Sequence, residues 1–174
     1  MSQEVLINKS EFIVSKTDIR GKIKYINKTF VDVSGFAEEE LIGRPHSLIR
    51  HEMMPRCVFQ YFWDTIQTGK EMFAYVVNKC KNGDYYWVLA YVTPDLDPVT
   101  GEIVGYHSVR RSPSRKAVEQ INTIYKKLVD IERRQNSKRD AIAAGTNALF
   151  AMIEETGLDY EAWIYSLEGE NAFS

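Results

Sequence analysis

A chain of 174 residues with 44% hydrophobic and 26% charged side chains can bury one core without disulfides and still carry an appendage. Its formal net charge of −2 lacks the basic excess of nucleic-acid binders, so no nucleic-acid partner is expected. Cys57 and Cys80 form no C-x-x-C pair, there is no signal-peptide pattern, and no run reaches about 18 apolar residues; the expectation is reduced thiols, a cytoplasmic setting and no membrane span.

Residues 11–16 and 22–26 read as strands joined through Thr17-Asp18-Ile19-Arg20-Gly21, whose Asp and Gly favour a turn. Residues 27–33, 37–41 and 55–68 read as helices. In the last of these Val58, Phe59, Phe62, Trp63 and Ile66 recur at helical spacing and give one apolar face. Residues 72–80 and 85–93 are rich in aromatic and β-branched types and flank Lys81-Asn82-Gly83-Asp84, where Asn-Gly is a strong hairpin signal. A further strand over 102–110 follows the turn residues 97–101. The order β-β, helices, β-β-β predicts an α+β fold: a five-stranded antiparallel sheet with short helices on one face.

From Ser112 on, charged helical sequence takes over, which divides the chain into a domain over 1–112 and a helical tail over 113–174. Val118, Ile121, Tyr125 and Leu128 form a coiled-coil-like stripe of about two heptads, too short to stand alone. It is expected to pack on its own domain, on a second copy in a homodimer, or on a partner. Helices over 137–155 and 159–167 follow, with Gly145 a weak spot and Gly157 a stop. Residues 126–140 carry six basic and three acidic side chains, and 154–170 six acidic and none basic, so opposite patches are available for pairing.

Phosphate-loop, G-x-S-x-G and H-E-x-x-H patterns are missing, and His46 and His51 lack a neighbouring cysteine. The chain reads as a non-enzyme without a metal site.

Several segments resemble the PAS fold, most closely the PAS domain of bacterial aerotaxis and energy-taxis receptors. Asn27-Lys28-Thr29-Phe30 with Ser34-Gly35-Phe36 is similar to the N-x-x-F…S-G-[YF] helix. Glu40-Leu41-Ile42-Gly43-Arg44-Pro45 resembles the E-L-x-G-x-P turn, and Lys81-Asn82-Gly83-Asp84-Tyr85-Tyr86-Trp87-Val88 the K-N-G-D-x-Y-W-V hairpin. Gly105-Tyr106-His107-Ser108-Val109-Arg110 resembles the closing strand. The stretch from Pro45 to Pro55, containing Arg50-His51-Glu52-Met53-Met54-Pro55, is similar to P-H-x-x-[VI]-R-H-x-x-M-P, the most specific of these segments. Two positions depart from the family: Met53 stands where an acidic residue is frequent, and Met72 where tryptophan is.

The resemblance implies a non-covalently bound FAD whose redox state reports cellular electron flow. It also implies output through the tail to a membrane-associated chemotaxis-type transducer or another signalling protein. Trp63, Met72 and Trp87 are candidate apolar walls of the cofactor site; Asn27, Arg50, His51 and Asn78 are candidate polar contacts. Each has a plainer reading. Asn27 suits a helix cap, Trp63 a core position, and Arg50 and His51 local ion pairs. Asn78 matters only if it is buried, because a buried amide needs a partner. Haem is the rival cofactor: of His46, His51 and His107 none stands on the 55–68 helix where the resemblance implies a proximal ligand, and His107 on the last strand is the one left open. A cofactor-free dimerisation scaffold and a haem-based gas sensor are the alternative functions. Photochemical cysteine adducts are not expected, since Cys57 sits in Pro-Arg-Cys-Val-Phe and no N-C-R-F-L segment occurs.

Overall fold

The computed structural model describes residues 1–169, so Glu170 of the acidic segment lies outside the described residues. The chain forms two compact units, Met1–His51 with Thr65–Ser112, and Glu52–Asp64 with Pro113–Ser174.

The first unit is built on five antiparallel strands: β1 (Ile13–Asp18), β2 (Ile23–Ile26), β3 (Met72–Lys79), β4 (Tyr85–Leu96) and β5 (Ile103–Arg111). They lie in the order β2-β1-β5-β4-β3. Between the strand groups come α1 (Lys28–Ser34), α2 (Glu38–Leu41) and a 3-10 turn over His46–Ile49. The fold is the five-stranded α+β arrangement expected, with small shifts at strand ends that have local causes. β1 starts at Ile13 because residues 8–11 are closed into a turn, Glu11 N donating to the Asn8 carbonyl (3.0 Å) and Ser10 N to Asn8 Oδ1 (3.0 Å). β4 continues through Pro94 to Leu96. The register with β3 ends at Met72 opposite Val92, so from Thr93 on β4 has one neighbour and tolerates a residue without an N–H.

Ile13, Ile23, Phe30, Leu41, Ile49, Tyr86 and Val88 form one apolar cluster on the helix-bearing face. Asn27 ties it together: Oδ1 accepts from Phe30 N (3.1 Å) and Val14 N (3.0 Å), and Nδ2 donates to the Phe12 carbonyl (2.8 Å). The side chain caps α1 and pins it to β1.

The second unit comprises the start of α3 (Arg56–Gln67) with α4 (Arg115–Arg133), α5 (Lys138–Glu155) and α6 (Tyr160–Glu168). Ser114, Ser137 and Asp159 cap the three tail helices by accepting from Ala117 N, Asp140 N and Ala162 N. α4 packs on α5 and α6, and its stripe of Val118, Ile121, Tyr125 and Leu128 is buried, so the chain itself covers it. Tyr61 of α3 meets Phe150 and Tyr160 edge-on at ring separations of 5.0 and 5.1 Å.

The amino terminus of α3 is capped from a distance. Glu132, a buried carboxylate on α4, accepts from Arg56 N (2.9 Å) and Cys57 N (2.8 Å), satisfying two of the helix's free donors. Burial and the adjacent Glu132 charge push the Cys57 thiol well above its ordinary range. Gly145 of α5 crosses this point so closely that a Cβ there would lie 2.8 Å from both Cys57 Sγ and Glu132 Oε2. Gly145→Ala, which in an open helix adds stability, is therefore expected to cost about 2 kcal/mol in urea unfolding.

Candidate functional site

The β3–β4 hairpin decides which side chains share a face. A two-residue turn on Asn82-Gly83 would pair Asn78 with Trp87. Instead Cys80 N donates to the Asp84 carbonyl (2.7 Å) and Gly83 N to the Cys80 carbonyl (3.1 Å), with Gly83 at φ 95°. The longer turn pairs Asn78 with Tyr86, and Val77 with Trp87. Asn78 and Tyr86 therefore stand on the helix-bearing face, and Trp87 on the opposite one.

Two strands away on that helix-bearing face is Arg110 of β5, 2% exposed. Its register partners are Ala90 and Ile13. Its Nη2 bonds Ser15 Oγ and lies 2.6 Å from His46 Nε2, and its guanidinium carbon sits 5.1 Å above the centre of the Phe30 ring. None of these contacts is a carboxylate. Burial lowers the Arg110 pKa to about 10, which still leaves it protonated at neutral pH. Burial and the Arg110 charge depress His46 to about 3, so its imidazole is neutral and accepts the guanidinium proton. Burial pushes the Tyr86 phenol up to about 12, so it keeps its proton.

Three buried polar atoms on this face are unsatisfied: Asn78 Nδ2, Tyr86 OH and Arg110 Nη1. The Asn78 amide lies close enough to Tyr86 to bias its proton, without the geometry of a completed hydrogen bond. All three can donate, so the cluster suits a ligand edge rich in carbonyl oxygens or ring nitrogens. The groups that hold Arg110 in place, His46 and Ser15, lie 64 and 95 residues from it in sequence.

The other sequence-selected residues fall in different places. Asn78 is buried, at 2% exposure, the condition on which its role depended. Arg50 makes an antiparallel bridge to Asn78, and His51 N donates to the Val77 carbonyl (3.2 Å), so this pair lies along the outer edge of β3. The His51 ring is tilted against Tyr85 at 5.4 Å. Met72, 4% exposed, shares the face of Asn78 but stands at the far end of β3. Asn27 spends its amide on α1 and β1. Trp63 belongs to the second unit, so it is not grouped with the polar cluster. A cavity of about 610 Å³ opens at the end of α1, between Val33, Ser34, Gly35 and Cys80–Asn82, and none of the seven candidates lines it. Tyr86 and Arg110 were not singled out from sequence, and His46 was weighed only as a haem or metal ligand. The parity of Tyr106, Ser108 and Arg110 along β5 was the one available signal, and it required the register to use.

The neutral, half-buried His46 makes acid sensitivity testable. Its folded pKa lies below its unfolded value, so stability is lost as pH falls below about 6.5. Between pH 7 and pH 5 the loss from this group is about 2 kcal/mol. Unfolding at both pH values is expected to show His46→Gln losing that much less than the wild type.

The PAS fold family matches residues 23–110, half of the chain. The chain belongs to that family. The aerotaxis receptor of Escherichia coli K12 is 38% identical over 116 residues, 67% of this chain and 22% of the receptor. The nitrogen fixation regulatory protein of Klebsiella pneumoniae is 27% identical over 109 residues, 63% of this chain and 22% of that protein. The chain thus spans about a fifth of these relatives. Among solved structures, a light-oxygen-voltage domain studied with a flavin analogue superposes with TM-score 0.56 at 19% identity, over 67% of this chain and 86% of that domain. The matched PAS region contains Asn78, Tyr86, His46 and Arg110, while Ser15 precedes it. Among the described residues no helix is long and apolar enough to cross a membrane, and no cluster of three metal-ligating side chains occurs.

Proposed function

We propose that this PAS chain is a redox or energy-state sensor that holds FAD against the Asn78–Tyr86–Arg110 cluster and passes the signal to a partner protein. The observation that carries the reading is the trio of buried, unsatisfied donors on one face of the sheet. Leaving such groups unpaired is costly, and a flavin's pyrimidine edge, with its carbonyl oxygens and ring nitrogens, offers the acceptors they lack. Bound flavin supplies reversible electron transfer. Asn78 Nδ2 and Tyr86 OH orient the ring, and the Arg110 cation favours any negative charge the ligand brings. Haem fits this cluster less well, because His46 Nε2 already takes a guanidinium proton.

Similarity to an aerotaxis receptor supports taxis-type signalling through a membrane-associated transducer. The connectivity supports output through the tail: β5, which carries Arg110, ends at Arg111, and α4 begins at Arg115. The role is sensing rather than catalysis, in a cytoplasmic setting. Protein purified without added cofactor and then denatured is expected to release FAD, read by fluorescence, at close to one per chain. Colourless protein that remains colourless after incubation with FAD overturns the proposal.

A further inference from the structure

With the α4 stripe buried, α5 presents the second unit's self-complementary surface. Arg139, Ala143, Asn147, Ala151 and Glu155 are all exposed and follow one another at intervals of four, forming a single ridge along the helix. The inward ridge is Ala141, Gly145, Leu149 and Ile153, offset by two residues and so on the opposite side. Read backwards, the outer ridge exchanges its cation for its anion and leaves Ala-Asn-Ala unchanged.

We infer that this ridge docks a second copy of the chain, the two α5 helices packing antiparallel with Asn147 on the two-fold axis. In that arrangement Arg139 meets the second copy's Glu155, Ala143 meets its Ala151, and the two Asn147 amides face each other, able to exchange two hydrogen bonds. A two-fold interface must be self-complementary in this way. The alanines let the helix axes approach closely, and a central polar pair fixes the register.

The charges themselves argue for an intermolecular role. Lys138 and Arg139 sit at the positive end of the α5 dipole, and Glu154 and Glu155 at its negative end, so they oppose the helix they belong to. Asp140 alone in the first turn has the favourable sign. Among the described residues neither Arg139 nor Glu155 is ion-paired. One helix-on-helix contact buries less than the roughly 1,200 Å² of a standard interface, so the dimer forms at raised protein concentration and weakens with salt.

This inference stands apart from the flavin reading, and its test requires no cofactor. Both native cysteines are buried, Cys57 at 0% and Cys80 at 5%, so an introduced thiol reports alone. Under mild oxidation Asn147→Cys is expected to cross-link to a dimer. Ala143→Cys is not, because its symmetry mate lies about 12 Å further along the axis. In sedimentation velocity, Arg139→Glu is expected to weaken association at least about tenfold, and Arg139→Glu combined with Glu155→Arg to restore it. Wild-type protein that stays monomeric at all concentrations, a monomeric Asn147→Cys, or a double reversal that restores nothing overturns the inference.

Discussion

Arg110→Met is expected to weaken FAD binding by at least about tenfold, while the flavin-free protein unfolds at no lower temperature than the wild type. The guanidinium is buried with one nitrogen unsatisfied, and its neighbours Ser15, neutral His46 and the Phe30 ring supply no countercharge. Such a cation is a burden on the unliganded core, so a methionine of similar reach relieves the fold as it removes the contact. A hydrogen bond from a charged donor is worth about 1.5–3 kcal/mol, which sets the tenfold floor. Fluorescence titration with FAD and thermal unfolding of the apo form measure the two halves separately. Unchanged affinity would place the flavin elsewhere, and a much less stable apo protein would make Arg110 a structural residue.

Glu132→Ala is expected to lower the unfolding free energy by about 3 kcal/mol. The carboxylate satisfies two backbone donors at the start of α3 from a buried position, so its loss strands both N–H groups beside Cys57. Urea unfolding followed by circular dichroism measures the loss. Glu132→Gln keeps one acceptor and is expected to fall between the wild type and the alanine variant. A cost below 1 kcal/mol would show the cap to be solvent-replaceable. Since the partners of residues 52–64 lie in the tail, removing 116–174 is expected to expose α3 as well as delete the last three helices.

Much of the fold was legible because its local signals agree. The Asp18 turn, the Asn27 cap and the aromatic and β-branched strands all express short-range physics that sequence displays directly. The candidate site was only half legible. Asn78 stood out as a polar residue in an apolar strand. Its companions depended on a hairpin register that the Asn-Gly pair does not determine. A turn one residue longer exchanges Trp87 for Tyr86 across the whole strand. Arg110 lay in plain view in the last strand, yet its burial follows from a contact with Ser15 that spans 95 residues. Glu132 read as one more charge on a helical tail. Its role becomes visible only when α3 arrives beside it.

A crystal structure of the protein with FAD bound tests the central claim most directly. The flavin ring is expected on the helix-bearing face of the sheet, with its acceptors within hydrogen-bonding distance of Asn78 Nδ2, Tyr86 OH or Arg110 Nη1. A flavin seated on the Trp87 face, or a saturated crystal in which those three donors remain unpaired, would contradict it.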